Sequence, residues 1–276
     1  MSPTGQPSRT VLQPDALRGQ VALITGGGTG IGRATALDLA RAGADVIVTG
    51  RRVAPLDKVA EEARALGARA YAISADIRED DQVAAMVTEA LERFGRIDIL
   101  VNNAGGQFSA PAEDISTKGW RAVHRLAVDA TWSVTREVAT RSMIPNRAGS
   151  IFFMAFSPRR GIPGFAHAAS ARAAVENLAA GLALEWSRYG IRSICVAPGT
   201  IVTEGLEENY TADDHARWAE AVPLGRLGTA EDVSALVAFL ASPGGAYITG
   251  TTIVVDGGAD AWGIGHAAPA QEGTEQ

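Results

Sequence analysis

Residues Thr25 to Gly32 read TGGGTGIG and lie between an apolar run, Val21-Ala22-Leu23-Ile24, and a segment of helical periodicity from Ile31 to Ala42. A strand that passes through a glycine turn into a helix places free backbone N–H groups at the positive end of the helix dipole. Glycine suits that place because a Cβ would hold a phosphate away from the backbone. Tight strand–helix turns also use glycine for purely structural reasons, so it is the strand–turn–helix context that favours a dinucleotide. Gly26, Gly28, Thr29, Gly30, Ile31 and Gly32 are the candidate cofactor contacts of this turn. Further on, the second apolar run ends Val48-Thr49-Gly50-Arg51-Arg52. An acidic residue there would bind the ribose hydroxyls of the adenosine. Two guanidinium forks instead suit a 2′-phosphate, which predicts NADP(H) over NAD(H); two solvated loop arginines are the alternative. Asp76, followed by Ile77, closes the third run and is placed to accept a hydrogen bond from the adenine amino group. Asn102-Asn103-Ala104-Gly105 read as a short turn whose small residues let the backbone pack against the adenosine, with Asn103, Ala104 and Gly105 as candidate contacts; an ordinary Asn-pair turn is the alternative.

The elements that must position these residues are legible as alternation. Strand candidates are Val21–Thr25, Asp45–Thr49, Ala70–Ala75, Ile97–Val101, Ser150–Met154, Arg192–Val196 and Thr252–Val255. Helix-length segments separate them, among them Ala54–Leu66, Asp80–Phe94 and Ala171–Arg188. Apolar strands alternating with helices predict an α/β fold, a doubly wound parallel sheet with helices on both faces and the ligand crevice at the strand carboxyl ends. No linker interrupts the pattern, so one domain is expected over residues 15–264, with tails at Met1–Pro14 and Gly265–Gln276. The charge-rich stretch Glu61 to Arg69 reads as a solvated helix face.

Composition narrows the function classes. Of 276 residues, 46% are hydrophobic and 20% charged, enough to build a full core, and the net charge is −6. That charge and the absence of a basic stripe argue against a nucleic-acid partner; the doublets Arg51-Arg52 and Arg159-Arg160 stand alone. No apolar stretch reaches membrane-spanning length, so no membrane partner is expected, and neither is a metal. The one cysteine, Cys195, sits in the apolar run Ile194 to Ala197 and reads as buried filler. With a polar start at Met1 to Ser8, these features predict a cytoplasmic protein.

TGGGTGIG, Asp76, the NNAG of Asn102–Gly105, Pro198-Gly199 and Asp256-Gly257-Gly258 occur in an order that resembles the short-chain dehydrogenase/reductase family, over about Leu17 to Gly258. The resemblance implies a single seven-stranded Rossmann-type domain. It also implies a homo-oligomer, dimer or tetramer, paired through the long helices after strands four and five. In that family a Ser, a Tyr and a Lys, with an Asn on the preceding helix, handle the substrate oxygen and the nicotinamide ribose. Reading back from Ala173-Ala174-Val175, those places fall on Ala155, Ala168 and Arg172, and the Asn place on Ala127. Between Ser150 and Val175 there is neither Tyr nor Lys, so no shift of register restores the pattern. Alanine carries no transferable proton, and Arg is no proton donor near neutral pH.

Gly106-Gln107-Phe108, Ile115-Ser116-Thr117-Lys118-Gly119-Trp120 and His167 followed by small residues up to Arg172 are similar to peroxisomal trans-2-enoyl-CoA reductases and their 2,4-dienoyl-CoA reductase relatives. This implies reduction, with NADPH, of a C=C bond conjugated to an acyl thioester, where aimed donors must stabilise an enolate oxygen. Candidate groups are Ser157, His167, Gln107 and Arg172, the last also as the ribose contact. Ser157 reads alternatively as a turn residue before Pro158, His167 as a capping or surface residue, and Arg172 as one half of a surface ion pair. Pro198, Gly199, Ile201 and Thr203 are expected to meet the nicotinamide, and Glu204 to Val222, with Tyr210, His215 and Trp218, to form a lid. Arg159-Arg160 are candidates for a carrier phosphate. The alternatives are a non-redox cyclase or isomerase on the same scaffold, or a catalytically silent NADP-binding subunit.

Overall fold

Alternation of side chains along apolar strands sets the layering. In strand β1 (Val21–Thr25) every residue is buried, Ala22 and Ile24 in one core and Val21 and Leu23 in the other. A strand buried on both faces needs a covering layer on each. The same division runs through β2 (Asp45–Gly50), where Val46 and Val48 oppose Ile47, and continues beyond β3 (Ala70–Ser74). In β4 (Ile99–Asn102) Ile99 and Val101 oppose Leu100, and in β5 (Gly149–Met154) Phe152 and Met154 oppose Ile151 and Phe153. In β6 (Ile191–Pro198) Ile194 and Val196 oppose Cys195 and Ala197; Cys195 is fully buried, as its apolar neighbours predict. The computed structural model describes residues 13, 15–157, 161–207 and 211–262. The expected tails, Arg159-Arg160 and Tyr210 lie outside these residues, apart from Gln13.

Helices α1 (Gly30–Arg41) and α2 (Val53–Ala65) cover the first core. The second is covered by α3 (Asp80–Phe94), by α4, a continuous helical run over residues 117–146, and by α5 (Ala166–Trp186). Two π-helical turns, Arg125–Asp129 and Ala139–Met143, interrupt α4, and the first carries Ala127. After the short helix α6 (Ala212–Glu220), α7 (Ala230–Ala241) returns to the first core beside α1, and β7 (Thr252–Val255) closes the sheet. The seven strands are parallel in the order β3-β2-β1-β4-β5-β6-β7. The chain winds outward from β1 to β3 and then returns to lay β4 against β1. Helices leave to opposite faces at that reversal, which opens the crevice expected of a doubly wound sheet.

Several boundaries shift from the sequence reading, most by a residue or two, and two of the shifts have a visible cause. β4 begins at Ile99 rather than Ile97, whose amide goes to the Ser142 hydroxyl at 2.8 Å. Helix α5 begins at Ala166 rather than Ala171. The run Ala166 to Ala171 is almost all small residues, so it shows no apolar period, yet alanine is the strongest helix former. His167 therefore stands inside the first turn of α5. The stretch Glu61 to Arg69 is largely solvent-facing, as expected.

Candidate active site

The register Ile24↔Val101 sets the ends of β1 and β4 side by side, and the residues beyond them are bonded together. The Thr25 hydroxyl accepts from the amides of Asn103 (3.1 Å) and Ala104 (3.0 Å) and donates to the Val101 carbonyl (3.3 Å). The Asn103 side-chain amide donates to the carbonyls of Thr25 (3.0 Å) and Gly26 (3.1 Å). Asn103 therefore braces the glycine turn from the neighbouring strand. The bracing leaves no room for side chains. At Gly32 a Cβ would overlap the Gly26 carbonyl oxygen and stand 2.5 Å from Asn103 Nδ2; at Gly26, with φ +64°, it would meet Ala104 Cα at 3.0 Å.

Beyond the turn, the N-terminus of α1 lacks a cap of its own. Thr29 makes no capping bond from its side chain, and the first turn holds no acidic residue. The Gly30 amide donates instead to Oε2 of Glu204, at 3.1 Å. A carboxylate oxygen at this place stands in for a phosphate oxygen, so the turn fits the diphosphate of a dinucleotide. Arg51 and Arg52 follow β2, exposed, and neither forms an ion pair among the described residues. Asp76 is bound by the Arg78 guanidinium, with Nε 2.8 Å from Oδ1. That bond holds its carboxyl down at about 2, and Arg51 adds a smaller push in the same direction. Asp76 is thus already paired within its own loop, and Ile77 beside it is buried.

The structure brings Ala127, Ala168 and Ala171 into one small apolar cluster with Val123, and Phe156 and Phe165 pack against it. Ala155 is buried just past β5. Arg172 is 8% exposed, so it is no surface ion-pair residue. It donates to the Met154 carbonyl at 2.6 Å, its guanidinium lies 5.6 Å from the Phe156 ring centroid, and its tip occupies the space where a Gly105 Cβ would stand. No carboxylate among the described residues pairs with it, and burial pushes its pKa down. His167 is neither capping nor at the surface: it is 0% exposed, and neither ring nitrogen has a hydrogen-bond partner among the described residues. Its ring packs on Phe108, centroids 4.3 Å apart, and burial, with a smaller push from His124, moves its pKa below 6.5.

The remaining candidates are placed differently. The Ser157 hydroxyl donates to the Asp256 carboxylate, which also accepts from the amides of Gly258 (2.8 Å) and Asp260 (2.6 Å). Ser157 thereby ties the end of β5 to the loop after β7. Gln107 is exposed on the segment between Gly105 and Phe108. Pro198 ends β6, Gly199 abuts Asp256, Ile201 is buried, and Thr203 faces Gly30, its Cγ2 3.1 Å from the place of a Cβ there.

The family model described as Enoyl-(Acyl carrier protein) reductase matches residues 26–260. The chain belongs to the short-chain dehydrogenase/reductase family. It is similar to a probable 2,4-dienoyl-CoA reductase of Bacillus subtilis, 39% identical over 86% of this chain and 94% of the relative. It is also similar to a peroxisomal 2,4-dienoyl-CoA reductase of Danio rerio, 36% identical over 90% and 84%. Among solved structures it resembles a citronellol catabolism dehydrogenase of Pseudomonas aeruginosa, with a TM-score of 0.81 and 38% identity over 91% of this chain and 98% of that one. Members of the short-chain dehydrogenase/reductase family bind nicotinamide cofactors, and this chain is an oxidoreductase of that family.

In this short-chain dehydrogenase/reductase the sequence reading missed three contacts: Glu204 on Gly30, Phe108 on His167 and Asp256 on Ser157. Each joins residues far apart in the chain, so no local pattern announces it. No helix among the described residues is long and apolar enough to cross a membrane.

Proposed function

We propose that this chain is an NADPH-dependent reductase of a C=C bond conjugated to an acyl thioester, with His167 as the donor to the thioester oxygen. The observation that carries the reading is the buried His167 with both ring nitrogens unpaired among the described residues. A buried polar group without a partner costs on the order of 1–3 kcal/mol, and such a group beside a family's catalytic helix position favours a bound ligand. Because its pKa is pushed below 6.5, the imidazole is neutral at pH 7 and offers one N–H and one lone pair. A neutral N–H aimed at an oxygen that gains charge lowers the barrier without supplying the proton itself. The likeness to 2,4-dienoyl-CoA reductases supports the substrate class. The bound nicotinamide supplies the hydride.

Around that donor, Ala127, Ala155 and Ala168 take the places of the family's Asn, Ser and Tyr and keep the pocket apolar. Arg172 takes the place of the Lys and holds the nicotinamide ribose. Arg172→Ala is expected to weaken NADPH binding by about tenfold, with Arg172→Lys in between. Fluorescence titration measures this, and equal affinity in all three proteins would remove the ribose role. Ser157 and Gln107 are secondary candidates: one already bonded to Asp256, the other exposed at the rim. Arg51 and Arg52 receive the 2′-phosphate. Arg51→Ala and Arg52→Ala are each expected to raise the NADPH Kd by about tenfold and leave the NADH Kd nearly unchanged; equal losses for both cofactors would contradict the assignment. The same reading makes the protein a cytoplasmic homo-oligomer paired through α4 and α5, where Ala173, Ala174 and Asn177 leave an exposed, small-residue surface.

The activity test is anaerobic: protein, NADPH and crotonyl-CoA are mixed and the nicotinamide absorbance is followed. Loss of absorbance with formation of butyryl-CoA is expected. Turnover of a thioester with no change in NADPH would favour the cyclase or isomerase reading instead.

A further inference from the structure

The Gly30–Glu204 bond has two features that make it more than a surface contact. The first turn of α1 carries neither a side-chain cap nor an acid, so its orphan amides are left to whatever anion approaches. The anion that does so comes from 174 residues downstream: Glu204 Oε2 accepts from Gly30 at 3.1 Å. Gly30 has φ +51° and no Cβ, and this lets the Thr203–Glu204 segment close onto the turn. Glu204 is itself exposed and opens the short helix Glu204–Glu207.

A diphosphate docked at the glycine turn needs the same N–H, and it brings like charge up to the carboxylate. One N–H does not serve both anions at full strength, and the two repel one another. We infer that Glu204 is an internal competitor for the phosphate site. Its carboxylate, which caps α1 here, leaves when the diphosphate enters, so cofactor binding is tied to release of the helix Glu204–Glu207 from the turn. Thr203, expected from the family resemblance to meet the nicotinamide, is the adjoining residue, so the diphosphate and the nicotinamide would act on one short segment. This inference rests on a dinucleotide entering the turn, and not on the NADP preference, the thioester substrate or the role of His167.

The test titrates ADP and NADPH by calorimetry at low salt into the wild type, Glu204→Gln, Glu204→Ala and Glu220→Gln. Glu220 is exposed at the end of α6, so its variant removes the same charge from the same region without touching Gly30. Glu204→Gln keeps the side-chain length, and thermal melts confirm that each variant is folded. Both Glu204 variants are expected to bind ADP and NADPH roughly two- to fivefold more tightly, with Glu220→Gln unchanged. Unchanged or weaker binding in the Glu204 variants overturns the inference, as does equal tightening in Glu220→Gln. Absence of ADP and NADPH binding already in the wild type is a separate result, which overturns the cofactor reading and this inference with it.

Discussion

Replacing His167 by phenylalanine is expected to lower kcat/KM for an enoyl thioester by roughly 100- to 1,000-fold, the usual cost of losing one oxyanion donor. The same substitution is expected to make the fold more stable. Phenylalanine keeps an aromatic ring against Phe108 while removing two buried nitrogens that have no hydrogen-bond partner among the described residues. Relief of that desolvation is worth about 1 kcal/mol, or about 2–4 °C in Tm for a domain of this size. NADPH affinity is expected to stay the same, because the cofactor contacts lie on other residues. The pH dependence gives an independent check. The folded-state pKa of His167 lies below the unfolded value of 6.5 because burial penalises the imidazolium. As pH falls below 6.5, the unfolded chain takes up a proton that the folded chain refuses, so the wild type loses stability there. His167→Phe lacks that contribution. A variant that loses stability and keeps its activity would show that the ring is a packing residue only.

A single methyl group at Gly32 is expected to disable the cofactor site. Its Cβ would overlap the backbone carbonyl of Gly26 and crowd Asn103 Nδ2 at 2.5 Å. Neither neighbour yields easily, since Asn103 is bonded to the Thr25 and Gly26 carbonyls and through its amide to the Thr25 hydroxyl. Gly32→Ala therefore forces the turn apart. The expected cost is about 3 kcal/mol of overpacking, roughly 6–12 °C in Tm, together with loss of measurable NADPH binding by calorimetry. Wild-type affinity with a lowered Tm would mean that the dinucleotide does not use this turn.

These two sites differ in how far the sequence announced them. The glycine turn was legible because its physics is local: strand, turn and helix are contiguous, and three glycines mark where backbone must approach backbone. The layering of the sheet was legible for the same reason, since Val21 to Ile24 and Ile194 to Ala197 are apolar on both faces. His167 was legible only as a candidate. The alanine-rich run that starts α5 has no apolar period, so the sequence placed His167 at the helix start and left a capping or surface role open. Its burial depends on Phe108, which arrives from another segment. Ser157 shows the converse, since a hydroxyl at the expected pocket position is bonded to Asp256, 99 residues away. Asn103 was read as a small-residue turn beside the adenosine, whereas its side chain is a brace for Gly26. Glu204 had no signal at all, because the helix end it caps is on the far side of the sequence.

Hydride transfer from the nicotinamide to the alkene is read directly from the fate of the transferred hydrogen. NADPH deuterated at its transferable position is incubated with crotonyl-CoA and the protein, and the acyl product is analysed by mass spectrometry. One deuterium at the β-carbon of butyryl-CoA, formed in step with NADPH oxidation and nearly abolished in His167→Phe, is the predicted result. A product carrying no deuterium, or one formed while NADPH remains intact, would contradict the account.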